Sequence, residues 1–251
     1  MTDLTNRVAL VTGSSRGIGK AIALRYASLG AKVALNYWGD EANAALALAE
    51  VRAHGGDAVA IKADVSRVDD IEHMFTQTLD RFDALDIVVA NAGVELIDQP
   101  VLEVTEEQFD RLFAVNTKGA FFTLQGAARH VADNGRIVYI GSSSTCLPAA
   151  GVGLYGSSKM AARYLVGVLA LEVGHRGVTV NTILPTSIEG AGVYTDIAED
   201  DPFRQLMTTF RPIGGRLGRA SDVADAAEYF AGDLAGWVSG QALLVSGGAQ
   251  Q

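Results

Sequence analysis

Short apolar, β-branched runs alternate with longer amphipathic stretches along the whole chain. "RVALVTG" (7–13) is a nearly unbroken apolar run ending in glycine, the pattern of a strand buried on both faces. "RGIGKAIALRYASLG" (16–30) follows, with apolar positions at helical spacing and a glycine stop. The alternation continues with a strand at 32–37, a helix at 40–56 ending in Gly-Gly, and strands at 58–64, 86–93, 136–142, 178–184 and 241–246. Helices fill the gaps, two of them long, near 105–131 and 153–174. Strands alternating with helices in this way are βαβ units, so the pattern predicts an α/β fold with a doubly wound parallel sheet of about seven strands, helices on both faces. No Pro-rich linker or compositional break divides the 251 residues, which predicts one domain over 1–251.

One segment departs from the rhythm. Residues 186–220 lie between a strand and a helix and carry five glycines and two prolines. Long irregular insertions in compact domains usually serve function, and this one is expected to be a substrate lid with a short helix or two.

Composition narrows the function classes. With 49% hydrophobic and 20% charged residues the chain can bury a core and is not disordered. A net charge of −9 argues against a nucleic-acid partner, which would need clustered cations. One cysteine, Cys146, excludes an intrachain disulfide, and it reads as a small wall residue with no electropositive neighbour to activate it. The four histidines show no metal-ligand spacing, so no metal is expected. No long uncharged apolar run signals a membrane span, and "MTDLTNRVAL" is too short and polar to be a signal peptide. A cytoplasmic enzyme or binding protein is the expectation.

The chemistry begins at "TGSSRGIG", where Gly13, Gly17 and Gly19 occupy the first strand-to-helix turn. Glycines there let the backbone approach a pyrophosphate seated on the helix N-terminus. A second motif, "LYGSSKMAARYL" (154–165), puts Tyr155 and Lys159 one helical turn apart on one face. Taken alone, that pair is either catalytic or an ordinary packed helix with a snorkelling lysine.

The glycine spacing with Thr12 before it resembles the short-chain dehydrogenase/reductase family, and the resemblance runs through the chain. "ADV" (63–65), "ANAG" (90–93), "VNTKG" (115–119), "IGSSS" (140–144) and Tyr155-x3-Lys159 are similar to that family's motifs, in its order. The resemblance implies a Rossmann-type fold and a nicotinamide-dependent oxidoreductase that interconverts a ketone or aldehyde with an alcohol. It implies a catalytic set of Asn116, Ser142, Tyr155 and Lys159. Ser142 is selected because the family serine stands thirteen residues before the tyrosine; Ser143 and Ser144 are its neighbours in the run. Tyr155 would act as general acid/base and Ser142 would polarise the substrate oxygen. Lys159 would lower the phenol's pKa by one to three units, a figure of about that size for an ammonium some 4 Å away. Family resemblance adds a bond from Lys159 to the nicotinamide ribose, and a water on Asn116 for proton relay. Cofactor contacts are implied at Thr12, Gly13, Ser15, Arg16, Gly17, Ile18 and Gly19, at Asn36 and Tyr37, at Asp64 and Val65, at Asn91, Ala92 and Gly93, and at Pro185 and Ile188, besides Tyr155 and Lys159.

Cofactor choice turns on the end of the second strand, "LNYWGDE". NAD sites commonly hold the ribose 2′-hydroxyl with an acid there, whereas an Arg accommodates a 2′-phosphate. Asn36 and Tyr37 occupy the acid position, Asp40 and Glu41 come later at the next helix start, and Arg16 lies within the glycine turn. NADP(H) is therefore expected, ahead of NAD(H). The chain departs from the family pattern at Thr186, Gly190 and Ser246, where Gly, Thr and an acid or amide are usual. A homotetramer or homodimer through the two long helices is also implied. The alternatives are an NAD-dependent alcohol or sugar dehydrogenase and a catalytically silent NADP-binding regulator. An epimerase or dehydratase like the longer family members is disfavoured by the glycine spacing and the lack of an added C-terminal domain. The family includes reductases of acyl-carrier-protein ketones, sugars, polyketides and steroids. The small apolar loop after Ser142 points to a modest nonpolar or aromatic carbonyl, such as a cyclic ketone.

Overall fold

The computed structural model describes residues 2–146, 148–195, 198 and 200–249. Seven strands, Val8–Val11 (β1), Lys32–Tyr37 (β2), Ala58–Lys62 (β3), Ile87–Ala90 (β4), Arg136–Ile140 (β5), Thr179–Pro185 (β6) and Ala242–Val245 (β7), form one sheet in the order β3-β2-β1-β4-β5-β6-β7. Every pairing is parallel. This is the doubly wound arrangement expected, and its topological switch point falls between β1 and β4. Strands predicted at 58–64 and 86–93 end earlier than the apolar pattern suggests. Their last residues turn off the sheet to form loops at its carboxyl edge.

Successive residues of β1 face opposite cores. Ala9 and Val11 pack with helices Gly17–Ser28 (α1), Glu41–Ala53 (α2) and Ala220–Ala231 (α8), through Ile22, Tyr26, Val51 and Phe230. Val8 and Leu10 pack on the other side with Val68–Phe82 (α3), Ala120–His130 (α5) and Gly153–Val173 (α6), through Phe75, Leu124 and Val166. Burial on both faces explains why the strands read as continuous apolar runs rather than alternating ones. Asp40 caps α2 by accepting from the Asn43 amide at 3.1 Å, which spends this acid on the helix, as its sequence position suggests.

The long helix expected near 105–131 is interrupted. Glu106–Phe113 (α4), opened by a Thr105–Gln108 capping box, passes into a π-helical segment at Ala114–Gly119 before α5 begins. The extra residue in the turn brings Asn116 and Gly119 into the interior. Gly119 is required there, because a Cβ would stand 2.7 Å from the Val65 carbonyl oxygen.

Between β6 and α8 the chain forms a short 3-10 turn at Gly192–Tyr194 and the helix Pro202–Thr209 (α7), in line with the one or two short helices expected. Its base is stitched down where Glu189 donates to the Gly218 carbonyl at 2.8 Å and Gly218 donates to Ser187 at 3.0 Å. Asp196, Ile197 and Glu199 of this segment lie outside the described residues.

Candidate active site

The carboxyl ends of β1, β2, β4, β5 and β6 open into a cleft of about 590 Å³. At one end is the glycine turn. Gly13 and Gly17 have φ of +61° and +57°, and a Cβ on Gly13 would stand 2.9 Å from the Ala92 backbone. Gly19 is closer still, with Asn91 Nδ2 and the Gly13 carbonyl each 2.5 Å from where its Cβ would be. Helix α1 begins here with no side-chain cap and no acid in its first turn. Its uncapped N–H groups suit an anion, and the cleft bordering Ser15, Arg16 and Ile18 is a fitting seat for a dinucleotide pyrophosphate.

Beyond the turn, Tyr37, Asp64 and Val65 line the cleft, and Trp38 joins them. No periodicity marked Trp38; its only signal is its place one residue past β2. It is largely exposed, with the Lys62 ammonium 5.8 Å from its ring centre. Lys62 is itself paired to Glu41 at 2.6 Å, so Glu41, like Asp40, is engaged away from the cleft. Asn91, Ala92, Gly93, Pro185 and Ile188 also border the space.

Two residues expected to contact a cofactor have side chains committed to the protein's own backbone. Thr12 is buried and does not line the cleft; its hydroxyl donates to the Val89 carbonyl and accepts from the amides of Asn91 and Ala92 at 2.9 and 3.0 Å. Asn36 borders the cleft, but its amide oxygen accepts from Gly13 N at 3.1 Å and its nitrogen donates to Ala63 O at 3.0 Å. Both side chains fasten the glycine turn to neighbouring strands. They shape the site instead of reaching into it.

At the other end of the cleft stand Ser142, Tyr155 and Lys159. Ser142 follows β5 and opens a 3-10 turn, Ser143–Thr145. Its Oγ accepts from Ser144 N at 3.2 Å and from Ser144 Oγ at 2.9 Å. With both acceptor sites used by Ser144, the Ser142 proton is directed outward as a donor. Ser144, a rival for the catalytic place in the sequence, donates to Ser142 and is not among the residues that line the cleft. If Ser142 is the catalytic serine that the resemblance implies, Ser142→Ala should cost about 100-fold or more in kcat/KM and Ser144→Ala about tenfold, measured as consumption of reduced nicotinamide with one good carbonyl substrate. The loop is tied to α6 by Arg163, which donates to Thr145 O at 2.8 Å and approaches Cys146 Sγ at 3.7 Å. Cys146 thus has a cationic neighbour, contrary to expectation, and it does not border the cleft.

Lys159 is buried, 4% exposed. Its Nζ donates to the Ile140 carbonyl at 3.4 Å and lies 5.7 and 6.0 Å from the ring centres of Tyr139 and Tyr155. Burial pulls its pKa down to about 8, with the charge of Glu95 opposing the shift. Gly93 makes room for it, since a Cβ at that position would be 2.8 Å from Nζ. Tyr155 behaves oppositely to expectation. Burial raises the phenol well above its ordinary value, Glu95 adds to this, and a hydrogen bond with Ser142 only partly offsets it. An ammonium this distant and desolvated does not overcome burial. The phenol therefore holds its proton at neutral pH, and Lys159 is the group nearer to titration.

Asn116 is fully buried and does not reach the cleft. Its Nδ2 donates to Val94 O at 2.8 Å and to Ser158 Oγ at 3.1 Å, while Oδ1 accepts from Val94 N at 2.9 Å. This side chain pins the loop after β4 to α6. The opposite wall was not foreseen from sequence. Glu95 and Arg111 contribute to it, as do Val193 and Tyr194 from the segment after β6. Tyr194 accepts from Ser187 Oγ at 2.9 Å.

Among the described residues no cluster of His, Cys, Asp and Glu is arranged to hold a metal, and no helix is long and apolar enough to cross a membrane. The family model described as enoyl-(acyl carrier protein) reductase matches residues 13–250. Hydroxynaphthalene reductase-like protein Arp2 of Metarhizium brunneum is 38% identical over 264 aligned positions, covering 98% of this chain and 96% of the relative. A short-chain dehydrogenase of Burkholderia cenocepacia, solved in complex with NADP, is 34% identical with a TM-score of 0.90, covering 98% of each chain. LugOII, a promiscuous reductase that catalyses keto-reduction at C1 during lugdunomycin biosynthesis, is 36% identical with a TM-score of 0.91, covering 99% of each chain.

Proposed function

The chain belongs to the short-chain dehydrogenase/reductase family and is a carbonyl/alcohol oxidoreductase; from that premise we propose that it is an NADP(H)-dependent ketoreductase with Tyr155 as its proton donor. The observation that carries this reading is the hydrogen-bonded pair of Ser142 and Tyr155, at the end of the cleft away from the uncapped glycine turn. When bound, the reduced nicotinamide supplies a hydride. The first turn of α1 would hold its pyrophosphate, Asp64 and Val65 its adenine, Asn91 to Gly93 the middle of the molecule and Lys159 the ribose, with Pro185 and Ile188 flanking the carboxamide.

The protein's own work is then to hold the carbonyl and protonate it. Ser142 donates to the carbonyl oxygen, and Tyr155 delivers its proton to that oxygen as negative charge develops. A phenol held protonated by burial favours reduction over oxidation near neutral pH. The ammonium of Lys159, beside the phenol ring, stabilises the tyrosinate left behind. The segment over 186–220 acts as the lid that excludes water. Arg16 with Tyr37, and the diversion of Asp40 and Glu41 to α2 and Lys62, support NADP(H) over NAD(H). A cytoplasmic protein, with a free Cys146, fits this reading. So does a homotetramer or homodimer, in which a second copy covers the exposed Phe109 and Phe121 of α4 and α5 and Met160, Tyr164 and Leu171 of α6.

The test is a screen at 340 nm with NADPH and NADH against ketones of graded size, from cyclohexanone through acetophenone to fused-ring aromatic ketones. NADPH consumption should exceed NADH consumption at equal concentrations. Arg16→Ala should raise KM for NADPH by about tenfold or more and leave KM for NADH within about twofold. Tight NADPH binding with no turnover of any ketone would favour the regulator instead.

A further inference from the structure

Glu95 stands at the substrate end of the cleft, three residues past Ala92 on the loop after β4. Its Oε2 accepts from the Val193 amide at 3.0 Å, on the segment after β6. Gly192 makes this approach possible. It has φ of +57°, and any Cβ there would overlap Glu95 Oε2. One oxygen of the carboxylate therefore joins the loop after β4 to the segment after β6.

A join of this kind needs no charge, since a glutamine oxygen would accept the same amide proton. Yet Glu95 forms no ion pair among the described residues, and neither does Arg111, the other charged residue on that wall. The carboxylate lies close enough to act on three groups of the site. Its charge raises the pKa of both Tyr155 and Tyr194 and supports the ammonium of Lys159. No further hydrogen bond is made by its second oxygen among the described residues. When a substrate displaces water from this end of the cleft, an unpaired carboxylate oxygen is costly unless the substrate brings a donor to it. A second anion there is costlier still.

We propose that Glu95 sets substrate specificity: the site takes neutral carbonyl compounds carrying a hydroxyl or N–H donor that reaches Glu95 when the carbonyl sits on Ser142 and Tyr155, and it rejects anionic ones. The proposal rests on the reading of Ser142 and Tyr155 as the carbonyl-holding pair. It excludes keto acids and phosphorylated ketones as preferred substrates, and it requires the hydroxyl to survive beside the reduced carbonyl in the product.

The experiment compares acetophenone, its three ring-hydroxylated isomers and the three matching acetylbenzoates, on the full-length wild-type protein and on Glu95→Gln. Ratios within each protein are read, so a general loss of activity does not enter. In the wild type the best hydroxylated isomer should exceed acetophenone in kcat/KM by about tenfold, and the best acetylbenzoate should fall about tenfold below it. In Glu95→Gln the penalty on the acetylbenzoates should shrink to within about threefold, and the hydroxyl preference should fall by a similar factor. Ratios unchanged by the substitution would overturn the proposal. The same ratios are measured as dissociation constants of the ketones from the NADP⁺-loaded protein, where no turnover occurs. Binding ratios that follow Glu95 without any turnover would overturn the ketoreductase reading and leave this one standing. Turnover with ratios indifferent to Glu95 would do the reverse.

Discussion

Tyr155→Phe is expected to lower kcat for ketone reduction by about 1,000-fold, with dissociation of NADPH changed by less than about threefold. The substitution removes one oxygen and leaves the ring that the Lys159 ammonium faces at 6.0 Å, so packing and the cation–ring contact persist. What is lost is the hydroxyl that pairs with Ser142 at this end of the cleft. The size of the loss follows from the role: a positioned acid is worth about 100- to 10,000-fold, and here no second acid of the right strength stands beside Ser142. Tyr194 borders the cleft, but its hydroxyl is engaged with Ser187 at 2.9 Å. Single-turnover hydride transfer, followed by NADPH fluorescence, separates this from slowed product release. A residual rate within about tenfold of wild type would remove Tyr155 from the mechanism.

The strands themselves were legible, because buried parallel strands are apolar runs. Their ends were not: the apolar pattern carries the strands predicted at 86–93 and 136–142 over Asn91 and Ser142, which only the resemblance to the family's motifs singled out. Side-chain direction was less legible. Thr12 and Asn36 sit at the right strand ends, yet the backbone groups left unpaired where β1, β3 and β4 leave the sheet claim their polar atoms. The interrupted helix at Ala114–Gly119 carries only Gly119, at its last position, as a breaker, and a lone glycine does not announce a π-helical turn. It is imposed by tertiary packing of Asn116 against Val94 and Ser158. The wall formed by Glu95, Val193 and Tyr194 was out of reach for a different reason. It joins loops about a hundred residues apart through a single amide, and no periodicity encodes such a meeting. The Tyr155–Lys159 spacing likewise specifies a shared helical face but not depth, and depth reverses the expected pKa shift of the phenol.

That depth leads to the second large effect. Lys159→Met should abolish reduction and at the same time make the protein more stable. Methionine fills most of the lysine stem's volume in a site that is 4% exposed, so no cavity opens. It also removes a charge that burial penalises. A lysine whose pKa falls from 10.5 to about 8 on folding destabilises the native state by about 3 kcal/mol at neutral pH, and about 1–3 kcal/mol of that should be recovered as a higher Tm. The pH dependence identifies the cause. Between pH 8 and 10.5 the unfolded chain keeps the lysine proton while the folded protein releases it, so wild-type stability rises with pH through this window relative to the variant. The gap between the two proteins should thus be widest below pH 8 and close toward pH 10.5. A lysine that merely packed would show no such convergence, and its replacement would leave Tm unchanged or lower. The rate of reduction by the wild type should fall as pH rises past about 8, where the ammonium loses the proton that stabilises a tyrosinate. A site that retains a buried, costly charge exposes its function by the stability gained when that charge is removed.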